Sequence, residues 1–501
     1  MKKNEFLSGA IILAFGGVLA KIFSAIYRIV LTRVLGGEGI GIYQLIFPIY
    51  SLFVILATAG LPMAISKVVA KSNLGKEHIV KKCFKFTSVI ALTLSFILII
   101  LSRKLAMLQG ETNIEICYII LAPTIIFVTA SSVLKGYFQG KHNFKPSAIS
   151  NIIEQFCKLT LGLILSLSLI QFGLLYAIIG AVVGIVVSEI ASFVVLLIFY
   201  NKNKSINNEH SNVEIKEIIK DVLPITLTNI ILPIATFIDS LLVVNLLKVN
   251  FTKSVSIFLY GLESGAVASL VGLPTIFSFA IASVILPNLT SSKNIFNSNR
   301  NLSLAIKCIL IICVPCVICF IISPNRIMDL LYSNKLNGFG VEGSNIAYRL
   351  LSISALGVIS LAVNQVYSSC LQAVDMRSVT VRNMVIAVVV KFVIEIMFMP
   401  SKIINIYALA ISNTVCYILV SVLNHFEIKQ VFRIEISLEF VAKLIFANCL
   451  MVLSLFIVMI FNANAMNSLL AYALAMVVYL VSLMVLKIFD KRDLLMLKYK
   501  V

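Results

Sequence analysis

A chain of 501 residues that is 60% hydrophobic and only 13% charged has more apolar surface than one water-soluble core can bury, which excludes a soluble globular protein. Its net charge of +19 sits in short segments beside apolar runs and not in a basic domain. That removes nucleic acid as a partner and leaves membrane topology and contact with anionic lipids as the meaning of the charge.

The first apolar run, 6–33, follows Met1-Lys2-Lys3 as a signal peptide would. It continues past Lys21 and Arg28 without a small-residue cleavage site, so it is read as an uncleaved span. Further runs follow at 42–66, 84–102, 114–134, 148–170, 173–200, 221–247 and 263–287, then at 303–323, 345–370, 380–400, 403–424, 438–461 and 467–487. Each can cross about 30 Å of hydrocarbon, which predicts an all-α polytopic membrane protein of about fourteen transmembrane helices. Lysines and arginines crowd alternate connections: Lys67 to Lys85, Lys135 to Lys145, Lys202 to Lys220, Lys293 with Arg300, Arg377 with Arg382, Lys429 with Arg433, and Lys487 onward. Positive residues favour the cytoplasm, so both termini are expected inside, in agreement with an even span count. Ten cysteines are scattered, most of them in apolar runs. Cys313, Cys316 and Cys319 are regularly spaced but surround Pro315 with no His nearby, so no metal site is expected.

Two stretches repeat. Ala59-Gly60-Leu61-Pro62 returns as Val271-Gly272-Leu273-Pro274, and Gln139 to Lys158 resembles Gln372 to Lys391. Both repeats fall six spans apart, which suggests two six-helix lobes in parallel duplication. The expected layout is an N-lobe at 1–200, a polar cytoplasmic linker at 201–213, a C-lobe at 214–426, and an extra helix pair with a cytoplasmic tail at 427–501. Prolines inside spans, among them Pro62, Pro233 and Pro274, are candidate hinges, because bent helices let lobes rock.

An ionisable group at the bilayer centre costs about 2.5–3.5 kcal/mol, so each one inside a span needs water, a partner or a substrate. Lys21 and Arg28 lie seven residues apart on one helix face, with Arg33 further out. Lining a cleft, they would attract a phosphate or pyrophosphate; alternatively Arg33 snorkels to the interface and Lys21 pairs with an acid. Glu154 and Lys158 are four apart, and Lys391 and Glu395 repeat that spacing in reverse order. They form local salt bridges, or else Lys158 and Lys391 complete a cationic cavity. Asp239 follows Pro233 and is a candidate for a coupling monovalent cation or proton, with Glu154 and Glu395 as further cavity acids. Glu189 and Glu263 are the remaining acids near membrane depth, Glu263 toward the outer water. No phosphate-cradling glycine loop, metal-ligand cluster or nucleophile elbow is present, so neither an enzyme nor a bound cofactor is expected.

The stretch Gly17 to Lys21, Tyr27-Arg28, and Arg33-Val34-Leu35-Gly36-Gly37-Glu38-Gly39-Ile40-Gly41-Ile42-Tyr43-Gln44, then Pro48 and Gly60-Leu61-Pro62, resembles the stage V sporulation protein B group. That group belongs to the polysaccharide-transporter branch of the multidrug/oligosaccharidyl-lipid/polysaccharide (MOP) exporter superfamily. The resemblance implies a V-shaped, MATE- and MurJ-like bundle in a bacterial plasma (inner) membrane. It also implies outward alternating-access transport of a lipid-linked cell-wall or polysaccharide precursor, of the lipid II type, in sporulation. Partners would be the lipid-linked glycan, membrane lipids and cell-wall synthesis proteins. In the lipid II flippases of this superfamily the first helix supplies cavity arginines. Lys21 stands in the place of the first and Arg28 one residue beyond the second, while two further cavity arginines fall near the uncharged Leu52 and Ser269. Two rivals remain. A cation-coupled multidrug antiporter would need Asp239 or Glu189 and not the first-helix cations. A non-transporting scaffold of a wall-synthesis complex would tolerate changes in the cavity.

Overall fold

The computed structural model describes residues 2–72, 76–203, 222, 226, 229–291, 295–339, 342–461 and 465–489. Most of the expected linker, the start of the seventh span and the C-terminal tail lie outside the described residues. Among the described residues the regular elements are helices, and the expected spans fall on them, the seventh as far as it is described. Eleven helical stretches among the described residues are long and apolar enough to cross a membrane. One of these, Phe15–Lys71, holds two of the expected spans. The two spans outside that group are a shorter apolar helix, Ile231–Leu247, and the helix that carries Lys391 and Glu395. The chain is an all-helical, multi-pass membrane protein.

Helix α1 (Lys2–Thr58) is two helices joined at Gly36, whose backbone angles of φ 69° and ψ −174° are accessible essentially to glycine alone. The break expected over 34–41 is thus one residue, and the glycines after it are helical. They serve a different need. A Cβ on Gly41 would lie 2.2 Å from the carbonyl oxygen of Ile257, and one on Gly261 would lie 2.2 Å from that of Gly37. The glycine-rich stretch therefore lets α1 press its backbone against a later helix.

Gly60, at φ 79°, separates α1 from α2 (Leu61–Lys71), and Pro62 sits in the first turn of α2, where its missing N–H costs nothing. Next come α3 (Lys76–Leu108), α4 (Glu115–Leu121) and α5 (Thr124–Gly140), the last two divided at Pro123. Helices α6 (Lys145–Leu169) and α7 (Leu174–Asn203) follow. Helix α8 (Ile231–Leu247) carries Pro233 in its first turn. Helix α9 (Lys253–Gly261) passes through a π-helical turn into α10 (Ala268–Ser291), which contains Pro274. The rest are α11 (Ile295–Ile322), α12 (Pro324–Tyr332), α13 (Gly343–Ala373), α14 (Arg377–Phe398), α15 (Tyr407–Val431), α16 (Leu438–Phe461) and α17 (Ala465–Val485).

The chain groups into two compact units, Met1–Ser269 with Asn337–Gly343 and Met384–Ser412, and Leu270–Leu336 with Ser344–Asn383 and Asn413–Val501. In the first, Tyr27, Leu31, Leu45 and Ile49 of α1 are fully buried, while Val89, Leu92, Phe96 and Ile100 of α3 stand outward as a lipid-facing stripe. Gln109 donates to the Leu45 carbonyl at 2.7 Å and to the Ser240 hydroxyl at 3.0 Å, and so fastens the end of α3 to α1 and α8. In the second unit α16 and α17 pack with α11, and Tyr479 donates to the Ile311 carbonyl at 2.7 Å. A buried amide ladder there runs from Asn383 to Asn424 at 2.9 Å and on to Asn364 at 2.7 Å.

Candidate functional site

Two cations converge on one aromatic ring in the first unit. The Arg28 guanidinium lies 5.7 Å from the centre of the Phe47 ring, and the Lys158 ammonium lies 5.2 Å from Phe47 and 5.2 Å from Tyr27. The local sequence builds this arrangement. A Cβ on Gly162 of α6 would be 3.0 Å from the Tyr27 ring, so glycine allows α6 to lie close against α1. Lys158, one turn before Gly162, is thereby carried over the same ring. Cation–ring attraction of about 0.5–2 kcal/mol holds each head group in place without neutralising it. Among the described residues neither Arg28 nor Lys158 has a carboxylate within ion-pair distance.

The local bridge from Glu154 to Lys158 does not form. Glu154 pairs instead with Lys135 of α5 at 3.8 Å. Lys135, expected in a loop, lies inside α5, where it takes the acid that would otherwise quench Lys158. Lys21 is half-buried two turns before Arg28 on α1, and Arg33 is exposed. Glu189 of α7 is within electrostatic reach of Glu154, Lys135 and Lys158.

The other candidate acids gather elsewhere in the same unit. Lys391 of α14 pairs with Asp239 of α8 and, at 3.7 Å, with Glu395 one turn along its own helix. Ser412 of α15 donates to Glu395 at 2.7 Å. All three charged side chains are at most 10% exposed. Asp239, Lys391 and Glu395 thus come together as an ion triad, whereas Arg28 and Lys158 form the cationic site. Lys391 is engaged by two acids and contributes no uncompensated charge. Glu263, expected near the outer water, is 3% exposed in the π-helical turn. Sequence reasoning missed Phe47, Tyr27, Lys135 and Ser412. An aromatic run, Tyr43, Phe47 and Tyr50 at helical spacing around Pro48, was the available signal for the ring. Among the described residues no group of three His, Cys, Asp or Glu side chains is placed to hold a metal ion.

A family model described as polysaccharide biosynthesis protein matches residues 6–293. Stage V sporulation protein B of Bacillus subtilis (strain 168) is 26% identical over 461 residues, covering 88% of this chain and 86% of its own. The lipid II flippase MurJ of the same organism is 24% identical over 424 residues, covering 78% of this chain and 77% of its own. A solved structure of lipid II flippase MurJ in an inward closed conformation superposes with a TM-score of 0.72 at 16% identity, across 96% of this chain and 99% of that one. The fold is therefore the MurJ-like one that the sequence resemblance implies.

Proposed function

The chain belongs to the polysaccharide biosynthesis protein family, and from that membership we propose that it is a MOP-superfamily flippase. It carries a polyprenyl-pyrophosphate-linked cell-wall precursor, of the lipid II type, from the inner to the outer leaflet by alternating access. The observation that carries this reading is the pair of cations, Arg28 and Lys158, held on Phe47 inside a membrane protein with no carboxylate among the described residues at ion-pair distance. Such a pair is costly without an anion and fits the diphosphate of a lipid-linked glycan. Lys21, on the same helix, extends the grip. Names of relatives support the substrate class: one is a lipid II flippase and one a stage V sporulation protein. On this reading the protein sits in a bacterial plasma membrane with both termini cytoplasmic, acts in spore-wall synthesis, and is built from the duplicated lobes 1–200 and 214–426.

The test is outward movement of labelled lipid II in proteoliposomes. The native protein is expected to flip it, and Arg28→Ala/Lys158→Ala to lose at least about 10-fold, the effect of removing roughly 1.4 kcal/mol of binding. Equal flipping by both overturns the site. A second reading, a cation-coupled multidrug antiporter, is favoured by the acid-rich triad at Asp239. It predicts that Asp239→Asn abolishes transport while the Arg28 and Lys158 variants keep it.

A further inference from the structure

Lys158 has a carboxylate within reach on its own helix and does not use it. Glu154 stands four residues earlier on α6, on the same face and in the favoured order of acid before base. Both of its oxygens are engaged elsewhere. Glu154 Oε2 faces the Lys135 ammonium of α5 at 3.8 Å, and Oε1 accepts from the Gln155 amide at 2.8 Å. The amide is committed to that bond, since Gln155 Oε1 is left buried without a hydrogen-bond partner among the described residues. The Lys135 contact is looser. At 3.8 Å it is an ion pair without a hydrogen bond, between side chains 20% and 18% exposed. Lys158 meanwhile lies over Tyr27 and Phe47, 5.2 Å from each ring centre.

We propose that Glu154 is an exchangeable counter-ion of the anion site, and that Lys135 is the positioning residue that sets where it rests. Resting on Lys135, Glu154 leaves the Lys158 ammonium open to an anion. Turned along α6 onto Lys158, it takes the anion's place and cancels one of the two positive charges that Arg28 and Lys158 offer. That move breaks no helix, because residues four apart are neighbours on a helix surface. The anion and Glu154 are then competing partners of one ammonium, so anything that draws Lys135 away weakens binding and favours release. The proposal rests on reading Arg28 and Lys158 as a diphosphate site, but the competition between two lysines for Glu154 is measurable without any cargo.

Two measurements on the purified full-length protein test it. The first is a double-mutant cycle of Glu154→Gln with Lys158→Met, read by detergent unfolding in the native and Lys135→Met backgrounds. Coupling is expected to be absent in the native background and to appear in Lys135→Met as about a 2–5-fold change in the unfolding constant. The second is binding of labelled lipid II in nanodiscs. Lys135→Met is expected to weaken it at least about 5-fold, Lys135→Arg to keep it, and Lys135→Met/Glu154→Gln to restore it. A lysine needed only for packing would not be replaced by the loss of an acid. Lys135→Met/Glu189→Gln removes a different acid, on α7, and is expected to stay weak. Equal coupling in both backgrounds overturns the proposal, as does restoration by Glu189→Gln as full as that by Glu154→Gln. If the native protein binds no lipid II, the cargo reading fails and the cycles alone decide the exchange. Lys135→Gln takes the place of Lys135→Met throughout if the latter does not fold.

Discussion

Replacing Lys391 with methionine separates the triad's charges from its packing. The ammonium is held by Asp239 and Glu395, in side chains almost closed to water. Methionine fills nearly the same volume but leaves two carboxyl groups facing each other with no cation. Removing one partner of a buried ion pair costs about 3–5 kcal/mol, because the charge left behind is uncompensated. Glu395→Gln acts in the opposite direction on charge. It leaves Lys391 and Asp239 as a one-to-one pair, and its amide oxygen can still accept from Ser412. Its cost is expected to stay within about 1 kcal/mol. The chain has no tryptophan, so unfolding is best followed by a thiol-reactive dye reporting the buried Cys83, Cys117, Cys370 and Cys416. Unfolding free energies would come from detergent titration. Equal losses for both variants, or a neutral Lys391→Met, would refute the reasoning from charge.

Two further outcomes follow from packing. Phe47→Leu removes the ring beneath Arg28 and Lys158 but keeps both cations; lipid II binding by the purified protein is expected to weaken about 3–10-fold, corresponding to about 0.5–1.4 kcal/mol of lost positioning, and unchanged affinity would show that the ring is idle. Gly41→Ala places a methyl 2.2 Å from the Ile257 carbonyl oxygen, so a loss of about 1–3 kcal/mol is expected in the same detergent titration, while a fully stable variant would mean that the close approach of α1 and α9 is not needed.

The fold was legible because hydropathy integrates over about 20 residues and tolerates local error. Apolar length placed the expected spans on helices among the described residues, even where a helix such as α14 carries too much charge to stand out by composition. What hydropathy could not show was how spans end. The pairing of α1 with α9 rests on Gly37, Gly41 and Gly261, and the need for glycine there appears only once two backbones are known to touch. The reading of prolines as bends was partial for a similar reason. Pro62 sits in a first turn, where proline begins a helix without distorting it, while α1 breaks at Gly36 and not at its own Pro48.

The charged residues were found by cost alone, since an ion inside an apolar run is conspicuous whatever it does. Their partners were not found, because spacing offers only neighbours on the same helix. Glu154 stands four residues from Lys158, yet it bonds to Lys135, which lies on another helix and looked like part of a loop. Glu395 does meet Lys391 as its spacing allows, but Asp239 arrives from α8 and changes the sum. The two lysines occupy matching places in the repeated stretches, each 19 residues after a glutamine, at Gln139 and Gln372. In one stretch the nearby acid pairs with a third residue, and the lysine has no carboxylate at ion-pair distance among the described residues. The other has gained a second acid and is left one positive charge short. Lysines at matching places in the two stretches thus end in different company, one over aromatic rings and one between two acids.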